Sequence, residues 1–169
     1  ILCNRLCWSY CILMVHCCFL PSAYSQQATN TKTTMNSLTT YVNPFIGTGG
    51  HGHTFPGPTM PFGACQVGPD TRLEGWDGCS GYHFSDTVIY GFSHTHLSGT
   101  GCSDYGDIAF MPTITNGKLN ERIEKIDTLF YTFSHKNEIS KAGYYSVKLN
   151  NGIKVELTST LRVGLQQYT

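Results

Sequence analysis

Apolar and polar residues alternate most regularly toward the C-terminal end of the 169-residue chain. Tyr145, Val147 and Leu149 alternate with Ser146 and Lys148, and Ile153, Val155 and Leu157 alternate with Lys154 and Glu156. A period of two puts one set on a buried face and the other in water. Asn151-Gly152 lies between the runs and suits a tight hairpin turn. Gly143–Leu149 and Gly152–Thr158 are therefore expected to form a hairpin, and Leu161–Gln167 to add a strand. Leu129–His135 has high β propensity, although its aromatics do not alternate cleanly. Upstream, Thr40–Val42, Ala64–Val67, Thr87–Phe92 and Ile108–Met111 are expected as short strands. Gly68-Pro69-Asp70, Ser85-Asp86 and Asn116-Gly117 read as turns. Lys118–Ile126 is the one helical rival. Short strands divided by turns predict an all-β fold, a β-sandwich or large curved sheet, rather than a doubly wound one.

Between these strands lie stretches with no period. Six glycines and three prolines fall between Gly47 and Gly63, so no regular element of any length fits there. Phe45, Phe55, Met60 and Phe62 are expected to anchor this segment, and long ordered loops of this kind are usually functional. Tyr90–Asp107 gathers His94, His96, Cys102, Asp104 and Asp107 among four glycines. Gly75–His83 joins the two. The expected arrangement is a β scaffold carrying one glycine-rich, His/Trp/Asp-lined surface. Gly47-Thr48-Gly49-Gly50 does not match a dinucleotide-binding fingerprint and is not followed by a helix pattern.

The N-terminal end has a different character. Arg5 precedes an apolar run, Cys7–Leu20, followed by Pro21 and the small residues Ala23 and Ser25. This is the form of a secretory signal over residues 1–25, cleaved before Gln26, and the run is too short to span a membrane. Residues 26–40 read as a flexible polar lead-in and residues 41–169 as the domain. Export to the periplasm or the extracellular space is expected. Removal of the signal leaves Cys65, Cys79 and Cys102, which allows one disulfide and one thiol, or three thiols. The chain does not begin with Met and stops directly after strand-like sequence, so a fragment of a longer protein is expected. Net charge is zero and 13% of residues are charged. No basic stripe exists to bind nucleic acid, and no membrane partner is expected.

Three constellations carry candidate chemistry. His51-Gly52-His53 and His94-Thr95-His96 each space two imidazoles for a shared face of a strand. They could serve as transition-metal ligands, alone or with Asp104, Asp107 or Cys102, or as buried polar ties between loops. Trp76 sits in a glycine turn beside Asp77, with Arg72 and Glu74 just before it. A rigid aromatic flanked by donors and acceptors can grip a sugar ring, its face taking the C–H surface and Arg and Asp the hydroxyls. The competing role is a core tryptophan that plugs the loop. Glu74, Asp77, Asp86, Asp104 and Asp107 supply carboxylates, but sequence spacing assigns no acid–base pair, and no G-x-S-x-G elbow offers a serine nucleophile.

The segments YVNPFIGTGGHGHTFPGPTMPFGACQVGPDTR, GWDGCSGYHFSD and GFSHTHLSGTGCSDYGDI, with the later SHKNEISKAGYYSVKLNNGIKVELTST, resemble the amino-terminal domain of the family 92 glycoside hydrolases, calcium-dependent exo-α-mannosidases. The likeness covers about Tyr41–Thr169. It implies a supersandwich-like β-sandwich, truncated here, whose parent carries a following (α/α)6 toroid with the active site at the junction. It also implies inverting removal of terminal mannose from α-mannoside glycans. The catalytic acid and base would lie in the carboxy-terminal domain, and Ca2+ would be bound mainly there. This segment would then contain no catalytic residue and would lend sugar contacts: Trp76 first, with Arg72 and Asp77, then His53, His94, His96 and Cys102. Gly78 stands where many relatives carry a second aromatic, and Ala64-Cys65 replaces a more usual hydrophobic pair. The alternatives are a free-standing carbohydrate-binding β domain and an exported His-rich metal-binding β domain.

Overall fold

The computed structural model describes residues 37–99, 101–114 and 129–169. These form an all-β unit with two short 3-10 turns, Leu38–Tyr41 and Trp76–Gly78, and no α-helix among the described residues. The strands are β1 (Gly68–Asp70), β2 (Val88–Ile89), β3 (Gly91–Ser93), β4 (Tyr131–Lys141), β5 (Tyr144–Leu149), β6 (Lys154–Ser159) and β7 (Gly164–Tyr168). One antiparallel sheet has the order β2-β4-β5-β6-β7, and a two-stranded sheet pairs β1 with β3. The expected signal segment, residues 26–36 of the lead-in, Asn116-Gly117 and Lys118–Ile126 lie outside the described residues.

The alternating run forms the expected hairpin. Tyr145 faces Leu157 and Val147 faces Val155 across β5 and β6. Tyr145, Val147, Leu149, Ile153, Val155 and Leu157 are all buried, and they share one cluster with Val67, Ile89, Phe92 and Phe133. The small sheet thus closes over the large one. Each such apolar side chain contributes about 1.5–3 kcal/mol.

Five expectations fail for local reasons. Ala64–Val67 is not a strand: Ala64 N–H bonds the Leu161 carbonyl and Gln66 N–H that of His94, so the segment has no single partner strand, and only Gln66 bridges to Thr59. Thr40–Val42 is not a strand, because Leu38–Tyr41 winds into a 3-10 turn held by Thr40 N–H to the Ser37 carbonyl. Gly68-Pro69-Asp70 is not a turn but β1. Pro69 faces Phe92, whose N–H and C=O both bond Phe110 on the other side, so the absent proline N–H breaks no ladder. The Thr87–Phe92 strand is divided, with β2 joining β4 and β3 joining β1 on either side of Tyr90. Ile108–Met111 contributes only the bridge from Phe110 to Phe92. Among the expected loop anchors, Phe45 packs edge-on against Phe84 and Phe55 stacks on His96, but Phe62 points wholly into solvent.

β4 runs beyond His135 because a bulge resets its register. Phe133 pairs with Leu149, yet the next pair is Glu138 with Val147. The slip changes parity, so Phe133 and Glu138 both face inward. Buried Glu138 accepts hydrogen bonds from Tyr145 Oη at 2.6 Å, Tyr82 Oη at 3.1 Å and His135 Nδ1 at 2.7 Å. Burial, reinforced by the Glu138 charge, pushes both phenols above their ordinary value. A group whose folded pKa is raised stabilises the fold below its unfolded pKa and loses that contribution as pH rises beyond it. The domain should therefore lose stability above pH 10, the ordinary tyrosine value. A near-ultraviolet phenolate titration should show Tyr82 and Tyr145 ionising only as the domain unfolds. Reversible ionisation of every tyrosine in the folded state would contradict this.

Candidate functional site

The loops without sequence periodicity pack around the small sheet, Gly57 against the start of β1 and Gly81 just beyond its end, and their closeness depends on absent side chains. A Cβ on Gly57 would lie 1.9 Å from the Val67 carbonyl oxygen, and one on Gly52 would lie 2.0 Å from that of Gly47. Backbone meets backbone at both places, which only glycine permits.

Two groups of polar side chains result. The first is buried. Asp70, at the end of β1, accepts from His96 Nε2 and from Ser93 Oγ, each at 2.9 Å. His96 Nδ1 donates to the Gln66 carbonyl at 2.7 Å. His96 is thereby fixed between two strands and capped by the ring of Phe55, 4.7 Å away. One edge of this dyad borders a cleft of about 270 Å³ that is also lined by Arg72, Ser103, Asp104 and Tyr105. Arg72 enters the cleft with its guanidinium already held, Nη2 to Asp86 Oδ1 at 2.5 Å and Nε to Oδ2 at 3.2 Å. Thr71 binds the same carboxylate.

The second group lies on the Trp76–Gly78 turn. Asp77 Oδ1 is 2.7 Å from His51 Nδ1 and 3.3 Å from His53 Nε2. The hydrogen bond from His51 is the main cause holding the Asp77 carboxyl below its ordinary range. Trp76 is 63% exposed and is therefore not a core plug. Its ring meets His53 edge-on at 5.3 Å and rests against Gly101, where a Cβ would come within 2.1 Å of the indole. Ser103 Oγ donates to the Gly75 carbonyl, so the 101–103 segment lies along the tryptophan turn.

The residues expected to contact a sugar thus divide. Trp76, Asp77 and His53 are together, joined by His51. Arg72 and His96 border the cleft. His94 turns the other way: its Nδ1 lies 3.1 Å from the Ile108 carbonyl and 3.2 Å from Gln166 Nε2 on β7. The two H-x-H pairs therefore behave differently. His94 follows β3 directly and diverges from His96, whereas His51 and His53 converge because His53 has a left-handed backbone, φ 54°. Cys102 is exposed, and no disulfide joins Cys65, Cys79 or Cys102. Burial pushes the Cys79 thiol up. Asp107 ties its segment to the one after β3: its carboxylate accepts from Thr95 Oγ1, and its N–H donates back to the same hydroxyl. Asp70 stands outside the expected set; its partners are more than twenty residues away, beyond the reach of any local motif.

Residues 41–169 match the glycosyl hydrolase family 92 N-terminal domain. The chain belongs to that family. A family 92 alpha-mannosidase from Bacteroides thetaiotaomicron, solved in complex with mannoimidazole, superposes with a TM-score of 0.70 at 42% identity, covering 78% of this chain and 18% of that one. A second family 92 enzyme of that species, an inverting mannosidase, gives a TM-score of 0.62 at 27% identity, covering 76% of this chain and 17% of its own. An uncharacterized secreted glycosidase of Arthroderma benhamiae is 31% identical over 131 residues, 76% of this chain and 17% of that protein. The family 92 segment described here thus spans less than a fifth of these relatives.

The family resemblance implies calcium, and the side-chain donor cluster among the described residues does not fit it. Among them, the one group of three or more His, Cys, Asp or Glu donors close enough to share an ion is His51, His53 and Asp77. Calcium takes six to eight oxygen ligands, whereas this group offers two imidazoles and one carboxylate.

Proposed function

We propose that this chain is the substrate-contacting, amino-terminal β-sandwich part of an inverting, exo-acting α-mannosidase that removes terminal mannose from α-linked glycans. The observation that carries the reading is the exposed Trp76, held rigidly over a glycine turn beside a polar cleft, within a domain 42% identical to that of an α-mannosidase. A cleft of about 270 Å³ suits one sugar ring. The Trp76 face takes the apolar side of the ring. Asp77 accepts from hydroxyls, and the Arg72 guanidinium, fixed by Asp86, donates. His53 holds Asp77, and His96 holds Asp70 at the cleft edge. Cys102 borders the tryptophan turn, and His94 anchors the neighbouring loop.

The catalytic acid and base lie in the remainder of the parent, a helical (α/α)6 domain that is this domain's partner. That remainder also binds Ca2+ and supplies what the metal contributes. Similarity to a secreted glycosidase and the signal-like residues 1–25 support export.

The test is release of mannose from α-linked mannobiose by the full-length protein. Activity should be lost with a chelator and restored by Ca2+ but not by Zn2+. Trp76→Ala should lower turnover by about tenfold or more, the loss of one sugar-stacking contact. Its melting temperature should be close to that of the parent, because the side chain is mostly in water. A fall in melting temperature with unchanged kinetics would make Trp76 a structural residue. No mannose release under any metal condition would overturn the enzyme assignment.

A further inference from the structure

We propose that His51, His53 and Asp77 form a binding site for a transition-metal dication of the zinc and copper class. The ligand atoms all lie within 4.8 Å of one another. Tetrahedral zinc, with nitrogen and oxygen ligands at about 2.0–2.2 Å, keeps its ligand atoms roughly 3.4 Å apart. The His53–Asp77 pair is already at 3.3 Å. The His51–Asp77 pair, at 2.7 Å, needs only to open slightly, and the widest pair must close by on the order of 1 Å. The His51 side chain is 78% exposed and can supply that movement without disturbing the core.

The other two ligands are fixed. The buried His53 ring lies against Trp76, and its backbone carbonyl accepts from Gly99 N–H at 2.7 Å. Asp77 is held in the 3-10 turn closed by Gly78 N–H to the Gly75 carbonyl. Two neutral imidazoles and a carboxylate favour zinc or copper over magnesium or calcium. Three protein ligands leave a fourth position for water. An ion here replaces the hydrogen bonds that now hold the group together and fastens the 47–54 loop to the Trp76 turn. It also occupies the Asp77 oxygen that would otherwise bind a hydroxyl.

The proposal is tested on the full-length protein after chelation and desalting, by calorimetric titration with Zn2+ alone. Cu2+ electron paramagnetic resonance then reads the ligands. The expected result is a zinc site insensitive to added Ca2+, with the copper spectrum showing coupling to two imidazole nitrogens. His51→Ala should weaken zinc binding by about a hundredfold and remove one coupled nitrogen. Asp77→Asn should also weaken binding, and His94→Ala should leave it unchanged. His51 is exposed, so its substitution keeps the fold and isolates the ligand effect. Zinc binding unaltered in His51→Ala, or no zinc binding in the parent, would overturn the proposal.

Discussion

Asp70→Ala should destabilise the protein by about 3–5 kcal/mol, read as a lower denaturant midpoint with an unchanged slope. The carboxylate is buried and takes hydrogen bonds from His96 Nε2 and Ser93 Oγ. Alanine leaves both buried donors without their acceptor at the edge of the cleft, and water entering from the cleft replaces it only in part. Asp70→Asn should cost less, since its amide oxygen can still accept. Asp77→Ala is the comparison: its carboxylate is partly in solvent, so its removal should shift the midpoint little. An Asp70→Ala effect as small as that at Asp77 would show that His96 is held by Phe55 and Gln66 rather than by Asp70.

Glu138→Ala should be comparably severe, about 3–5 kcal/mol. It strips the acceptor from the Tyr82 and Tyr145 hydroxyls and from His135 Nδ1. Glu138→Gln removes the charge and one of the two acceptor oxygens. The amide keeps the shape but has one acceptor oxygen where the carboxylate had two, so at least one buried donor loses its partner. An intermediate loss is expected for glutamine. If glutamine were as stable as the parent, the network would be held by packing and not by its acceptor.

The hairpin at Asn151-Gly152 was legible because alternation and turn chemistry are both local. The scaffold class followed from the same signal repeated. Glu138 was not legible: its inward position depends on the bulge in β4, and Tyr82 lies 56 residues before it. Asp70 was hidden in the same way, within a Gly-Pro-Asp run whose composition favours a turn. Only the facing strand, with Phe92 bonded away from Pro69, makes that run extended. The site was half visible. The motifs marked Trp76, Arg72 and Asp77, and the H-x-H spacing marked His51 with His53. It could not tell a converging pair from a diverging one, because the difference lies in the left-handed backbone at His53.

The ties that hold the glycine-rich loops reach far along the chain. Ser140 Oγ donates to the Pro56 carbonyl, 84 residues earlier, and Gln166 Nε2 donates to the Phe92 carbonyl, 74 residues earlier. Contacts of such separation form slowly, because the entropy of closing the intervening chain comes before the bonds that offset it. The β5–β6 hairpin can form within its own length, but the glycine-rich loops cannot. Their ties cannot close until β4 and β7 have been made. During synthesis the chain around Pro56 and Phe92 therefore stays open to folding helpers and proteases until the strands that tie it have followed.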